Sequence, residues 1–178
     1  MKSTAARILS ASLILAATLP MSIQVANAGN DTAGTVNFIG KVVANTCDLS
    51  KKDVNVDMGT VVASDFTTKG SYSLAKNFSI DLKNCDASLS GVTVKFGGTP
   101  DKSIADDLAI QAGTGAASGL AIEIRANNGK KVSLNNESPI YALKSGANTL
   151  NFSALYISTG TVSAGLANAT SPFTLQYR

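Results

Sequence analysis

The chain of 178 residues has no histidine, no tryptophan and only two cysteines. Without histidine, Ser-His-Asp and Cys-His nucleophilic arrangements are excluded. Two thiols without histidine do not make a tetrahedral zinc cage. Without tryptophan, a sugar-binding surface lacks its largest stacking ring. Phe78, Phe96, Phe152, Phe173, Tyr156 and Tyr177 fall on alternating faces, as core residues do, which leaves Tyr72 and Tyr141 as candidate exposed rings. Charge is also scarce: 15% of residues are charged, against about 25% in average proteins. The short basic pairs Lys51-Lys52 and Lys130-Lys131 read as solvated turn residues, so no nucleic-acid footprint is present. Asp106-Asp107 is the only acidic pair; neighbours on a strand point opposite ways, so it reads as a solvated loop. The glycine-rich stretch 111–119 is followed by no Gly-Lys-Ser/Thr and is not a phosphate loop. These absences argue against an enzyme, and no cofactor, metal or small-molecule substrate is expected.

What is present begins with a leader. Lys2 and Arg7 form a positive start, residues 8–19 an apolar run, and Ala26-Asn27-Ala28 a small-x-small cleavage site. The run is shorter than the roughly 20 residues that span a bilayer. Residues 1–28 are therefore expected to be a cleaved secretory signal peptide, leaving 178 − 28 = 150 residues, the size of one domain. The formal charge of 15 − 12 = +3 falls to +1 without Lys2 and Arg7. After export, Cys47 and Cys85 are expected to form a disulfide.

The rest of the chain alternates with period two. Val54, Val56 and Met58; Phe78, Ile80 and Leu82; Val92, Val94 and Phe96; Leu120, Ile122 and Ile124; Leu150, Phe152, Ala154 and Tyr156; and Phe173, Leu175 and Tyr177 each predict a half-buried strand. Gly, Asn, Asp, Pro and Ser bound these runs. A short helical turn is expected near residues 104–108. No 3.6-residue period is sustained, so the fold class is all-β, an antiparallel sandwich or barrel. One strand is oddly placed. Residues 31–42, DTAGTVNFIGKV, put Gly34, Val36, Phe38, Gly40 and Val42 on one face, at the new N-terminus and ahead of the first cysteine. Termini are usually mobile unless tied down, so this strand is expected to join the sheet of another molecule.

The motifs, in order, are GTVNFIGKVVANTC, NFSIDLKNC, NFSALYISTGTVSAG and SPFTLQYR with its penultimate tyrosine. Together they resemble subunits of chaperone–usher fimbriae, most of all the type 1-like major pilins, over essentially the whole mature chain. The resemblance implies an incomplete immunoglobulin-like sandwich that lacks its last strand and is completed by donor-strand exchange. It implies a donor extension at residues 29–40 and a pilin domain at 41–178. The donor face would be Thr32, Gly34, Val36 and Phe38, with Gly34 at a shallow pocket. Phe173, Leu175 and Tyr177 would line the acceptor groove, and the Arg178 carboxylate would meet a basic anchor of the chaperone. The implied partners are a periplasmic pilus chaperone, an outer-membrane usher and neighbouring pilin subunits. The implied destination is an extracellular fimbrium that supports cell adhesion. The competing reading is a soluble or capsule-like β-sandwich surface protein that binds a host ligand itself. A tip adhesin would need an additional lectin domain, for which 150 residues leave no room.

Overall fold

The computed structural model describes residues 34–40 and 46–178. The expected signal peptide, Thr32 and the first valines after Lys41 lie outside the described residues. The chain divides into two units, Met1–Lys41 and Val42–Arg178.

In the first unit, residues 34–40 are exposed and form no strand. The period-two pattern predicted one. The pattern specifies which side chains share a face, but a strand exists only through hydrogen bonds to a neighbour.

The second unit is a β-sandwich. Its strands are β1 (Asp48–Leu49), β2 (Lys76–Cys85), β3 (Gly91–Phe96), β4 (Leu108–Ala109), β5 (Ser118–Ala126), β6 (Lys131–Val132), β7 (Tyr141–Ala142), β8 (Gly146–Ser163) and β9 (Phe173–Tyr177). One sheet has the order β1-β2-β8-β5-β4, with β6 also on β5; the other is β7-β3-β9. The named strands pair antiparallel throughout. A strand has two edges, and β8 runs along one edge of β5. β4 and β6 therefore share the other, at Leu108↔Ile122 and Ile124↔Val132.

The alternation fixes what goes inside. Ile80, Leu82, Leu150 and Phe152 from the larger sheet meet Val92, Val94 and Phe96 from the smaller one, all buried. The rings of Phe78 and Phe152 stack at 5.6 Å, and Phe96 meets Phe152 edge-on at 5.1 Å, so aromatic contacts join the two sheets. The Cys47–Cys85 disulfide ties the residue before β1 to the last residue of β2. Gly119, at φ 73°, accompanies a register shift between β5 and β8; a Cβ there would collide with the Thr161 carbonyl oxygen.

Several expectations are corrected. Val54, Val56 and Met58 alternate in burial with exposed neighbours, yet this stretch belongs to no sheet. A short 3-10 turn at Ala63–Asp65, not anticipated, follows it. Near residues 104–108 there is a single turn, closed by the Asp107 N–H donating to the Ile104 carbonyl at 3.0 Å, which leads directly into β4. Tyr72 is half exposed as expected, but Tyr141 is buried, its hydroxyl donating to the Asn151 carbonyl at 2.6 Å. Asp107 is buried too, against the solvated-loop reading, because Leu108 begins a strand and carries its neighbour into the packed structure.

Candidate functional site

β9 is the edge of the three-stranded sheet, and its chemistry follows from its register. Arg178 N–H donates to the Gly91 carbonyl at 2.8 Å, and Gly97 N–H donates to the Pro172 carbonyl at 2.7 Å. In an antiparallel ladder, bonded pairs alternate with non-bonded pairs. Between those two points the register runs Val92↔Tyr177, Thr93↔Gln176, Val94↔Leu175, Lys95↔Thr174 and Phe96↔Phe173. Gln176 and Thr174 therefore turn their main-chain groups toward β3. Phe173, Leu175 and Tyr177 turn theirs toward the free edge, where no hydrogen bond among the described residues reaches them. The same three residues point their side chains inward, yet each is only half-buried. An unpaired edge with inward apolar side chains is a template for another strand.

The space they face is a groove of about 980 Å³. Its floor is core, including Phe78, Ile80, Ile122, Ile124 and Tyr156. Its rims are Val54, Val56 and Met58 on one segment and Ala167, Ala169, Ser171 and Phe173 on another. A second hollow of about 540 Å³ shares Leu49, Lys52 and Phe173 with the first and continues past Leu175 and Tyr177 to Cys47. The two are consecutive stretches of one groove along β9. Tyr177 bridges its far end, donating its hydroxyl to the Cys47 carbonyl at 3.3 Å; burial raises the pKa of that phenol.

The residues singled out from the sequence are placed as follows. Phe173, Leu175 and Tyr177 line the groove. Arg178 is exposed; its main-chain oxygen accepts from Ser90 N–H at 2.9 Å, and its guanidinium meets Glu137 at 2.8 Å. Gly34, Val36 and Phe38 belong to the other unit; Val36 and Phe38 are 74% and 94% exposed, large apolar side chains without cover. Two rims were missed. Val54, Val56 and Met58 read as an ordinary strand. Ala167, Ala169 and Ser171 belong to no expected element, although they keep the same phase as Phe173; that continuity was the available signal. Tyr156, whose hydroxyl donates to the Ala167 carbonyl at 2.8 Å, holds this rim against the floor.

Comparison with known proteins gives one answer. The family model described as "Fimbrial protein" matches residues 36–178. A type-1 fimbrial protein subunit of Serratia marcescens is 39% identical over 177 residues, covering 90% of this chain and 97% of its own. An uncharacterized fimbrial-like protein, YcbV of Escherichia coli strain K12, is 41% identical over 147 residues, covering 81% of this chain and 85% of its own. Among solved structures, a chaperone–usher pilus whose structure addresses rod uncoiling is similar with a TM-score of 0.65 and 27% identity, covering 83% of this chain and 96% of that one. Sandwich, disulfide and relatives agree: the chain belongs to the fimbrial protein family and is a structural subunit of an extracellular pilus.

Proposed function

We propose that this subunit polymerises by donating residues 29–40 to the groove of the next subunit and receiving the same stretch from the one before. The observation that carries the reading is the free edge of β9 above an open apolar groove. An extended peptide entering it would bond to the outward main-chain groups of Phe173, Leu175 and Tyr177 and seat alternate side chains inward, which is β-strand addition. Thr32, Gly34, Val36 and Phe38 supply such a face. Burying Val36 and Phe38 would contribute about 1.5–3 kcal/mol each, and each ladder hydrogen bond about 0.5–1.5 kcal/mol.

Before assembly, an open edge of this kind is an aggregation hazard. A periplasmic pilus chaperone covering it, with Arg178 at its anchor, and an outer-membrane usher exchanging it for the next subunit complete the cycle. The protein acts by assembly rather than catalysis, as a homopolymer supporting adhesion. The supporting facts are the fimbrial relatives and the pilus structure it resembles.

The test is thermal unfolding of mature protein lacking residues 29–39, with and without a peptide of residues 31–41. The domain alone should melt early or aggregate, and the peptide should raise its Tm; at 100 times Kd the gain would be about 2.7 kcal/mol. A truncated domain that is already stable and ignores the peptide would sink the proposal.

A further inference from the structure

A buried charge cluster lies on the opposite face of the larger sheet, away from the groove. Ile122, Ile124 and Leu108 line the groove, so Glu123 and Asp107, one residue out of phase, point to the other side. Register brings three side chains together there. Leu108 pairs with Ile122, which sets Asp107 beside Glu123, and Arg125 pairs with Lys131. Lys131 Nζ lies 2.7 Å from Asp107 Oδ1 and 3.5 Å from Glu123 Oε2. Glu123 also holds Arg125 Nε at 2.6 Å and accepts from the Tyr72 hydroxyl at 3.5 Å.

The unusual member is Asp107. It is 1% exposed; the Lys131 ammonium lies 2.7 Å from Oδ1, and Oδ2 has no hydrogen-bond partner among the described residues. A buried carboxylate in a native fold normally fills its acceptor sites, and its desolvation is costly when it does not. Desolvation raises the pKa of Asp107 despite the nearby ammonium.

We propose that Asp107 and Lys131 are the site of an intramolecular amide cross-link, with Glu123 as the proton relay. The reaction is a condensation that needs no co-reactant. The Lys131 ammonium gives up a proton through Glu123 to the Asp107 carboxyl, which converts the ion pair into a neutral amine and acid. The amine lone pair attacks Asp107 Cγ and a C–N bond forms. The second proton leaves nitrogen by the same relay, one C–O bond breaks, and that oxygen departs as water with both protons. Glu123 ends as it began. The ion pair and the neutral pair hold the same number of protons, so none enters or leaves the site. Contact between the reacting groups supplies the proximity that makes such a step effectively unimolecular. The amide replaces a buried carboxylate and a partly exposed ammonium with one neutral group. It would fasten the start of β4 to β6 along the edge of β5 that they share, joining two strands of only two residues each.

The test is the intact mass of the mature, oxidised protein, taken from fibres or purified folded, and measured under denaturing conditions. The expected mass is lower than that of the disulfide-bonded chain by one water. Proteolysis should then release a branched peptide joining the segments that contain Asp107 and Lys131. Lys131→Arg, which keeps the charge but not the primary amine, should restore the full mass and give only linear peptides. Glu123→Gln should slow or abolish the loss of water. A full mass in the wild-type folded protein overturns the proposal. So does a water loss confined to one linear peptide, as a cyclised aspartate would give. A Glu123→Gln protein that cross-links as fast as wild type removes Glu123 from the mechanism.

Discussion

β3 and β9 are neighbours in one sheet and carry nearly the same inward face: Val92, Val94 and Phe96 on one, Tyr177, Leu175 and Phe173 on the other. Hydropathy does not separate them, yet the β3 residues are sealed and the β9 residues are half open. The difference lies in what stands on the outer edge. Val94 N–H donates to Ser138 Oγ at 2.9 Å, its carbonyl accepts from Ser138 N–H at 2.8 Å, and the Phe96 carbonyl accepts from Asn135 N–H at 2.7 Å. β7 covers Val92. At β9 the equivalent groups have no partner among the described residues. Burial of an apolar residue is a property of its neighbours, and a missing neighbour at one edge is enough to leave inward-pointing side chains half open.

The comparison can be broken most directly with matched truncations. Phe96→Ala should destabilise the donor-free domain by about 3–5 kcal/mol, as for a buried aromatic. Phe173→Ala should cost that domain roughly half as much or less, because its ring is already partly solvated. Adding the 31–41 peptide should bring the two costs together. Equal costs without peptide, by denaturant unfolding, would mean that β9 is not open in solution.

Next in size is the disulfide at the groove's end. Cys47→Ser with Cys85→Ser should lose about 3–4 kcal/mol in the chain-entropy model, read as a lower Tm and lower periplasmic yield. An unchanged Tm would show that β1 is held by pairing alone.

Gly34→Leu separates donor from acceptor. The domain should fold and unfold as wild type, while fibre yield collapses, because in the proposed register a large side chain would replace hydrogen where the groove has no room for it. Normal fibre yield would displace the proposed register.

The smallest effect is alkaline. Tyr141 and Tyr156, in the closed part of the sandwich, have phenols whose pKa is raised by burial above the usual value of about 10. The unfolded chain releases these protons first. The tyrosine contribution to stability should therefore be flat below about pH 10 and fall as pH rises from there toward the raised values. Tyr141→Phe should reduce that slope while losing the hydrogen bond to Asn151; an unchanged slope would assign the titration to other groups.

Much of the sandwich was legible because period-two alternation reports directly on faces. β2, β3, β5, β8 and β9 all contain the residues expected of them. That Phe173, Leu175 and Tyr177 share one face was legible for the same reason, whereas their place along a groove came only from the resemblance to pilins. Its other rim was half legible: Val54, Val56 and Met58 alternate as a strand does but have no ladder, and alternation alone cannot say whether a partner exists. The Asp107–Lys131–Glu123 cluster was not legible at all. Its members come from three strands brought together by the β4–β5–β6 register, and register depends on turns and partners that no local window contains.

By itself the sequence determined which side chains share a face, because that depends only on the geometry of an extended backbone. It also carried the expectation of export, from a leader-like pattern read linearly, and it excludes histidine chemistry. Only the tertiary structure decided which edge stayed open, which cysteine met which strand, and which charges were buried together. Those outcomes depend on contacts between distant segments, and the free energy of each contact exists only once its neighbours are in place.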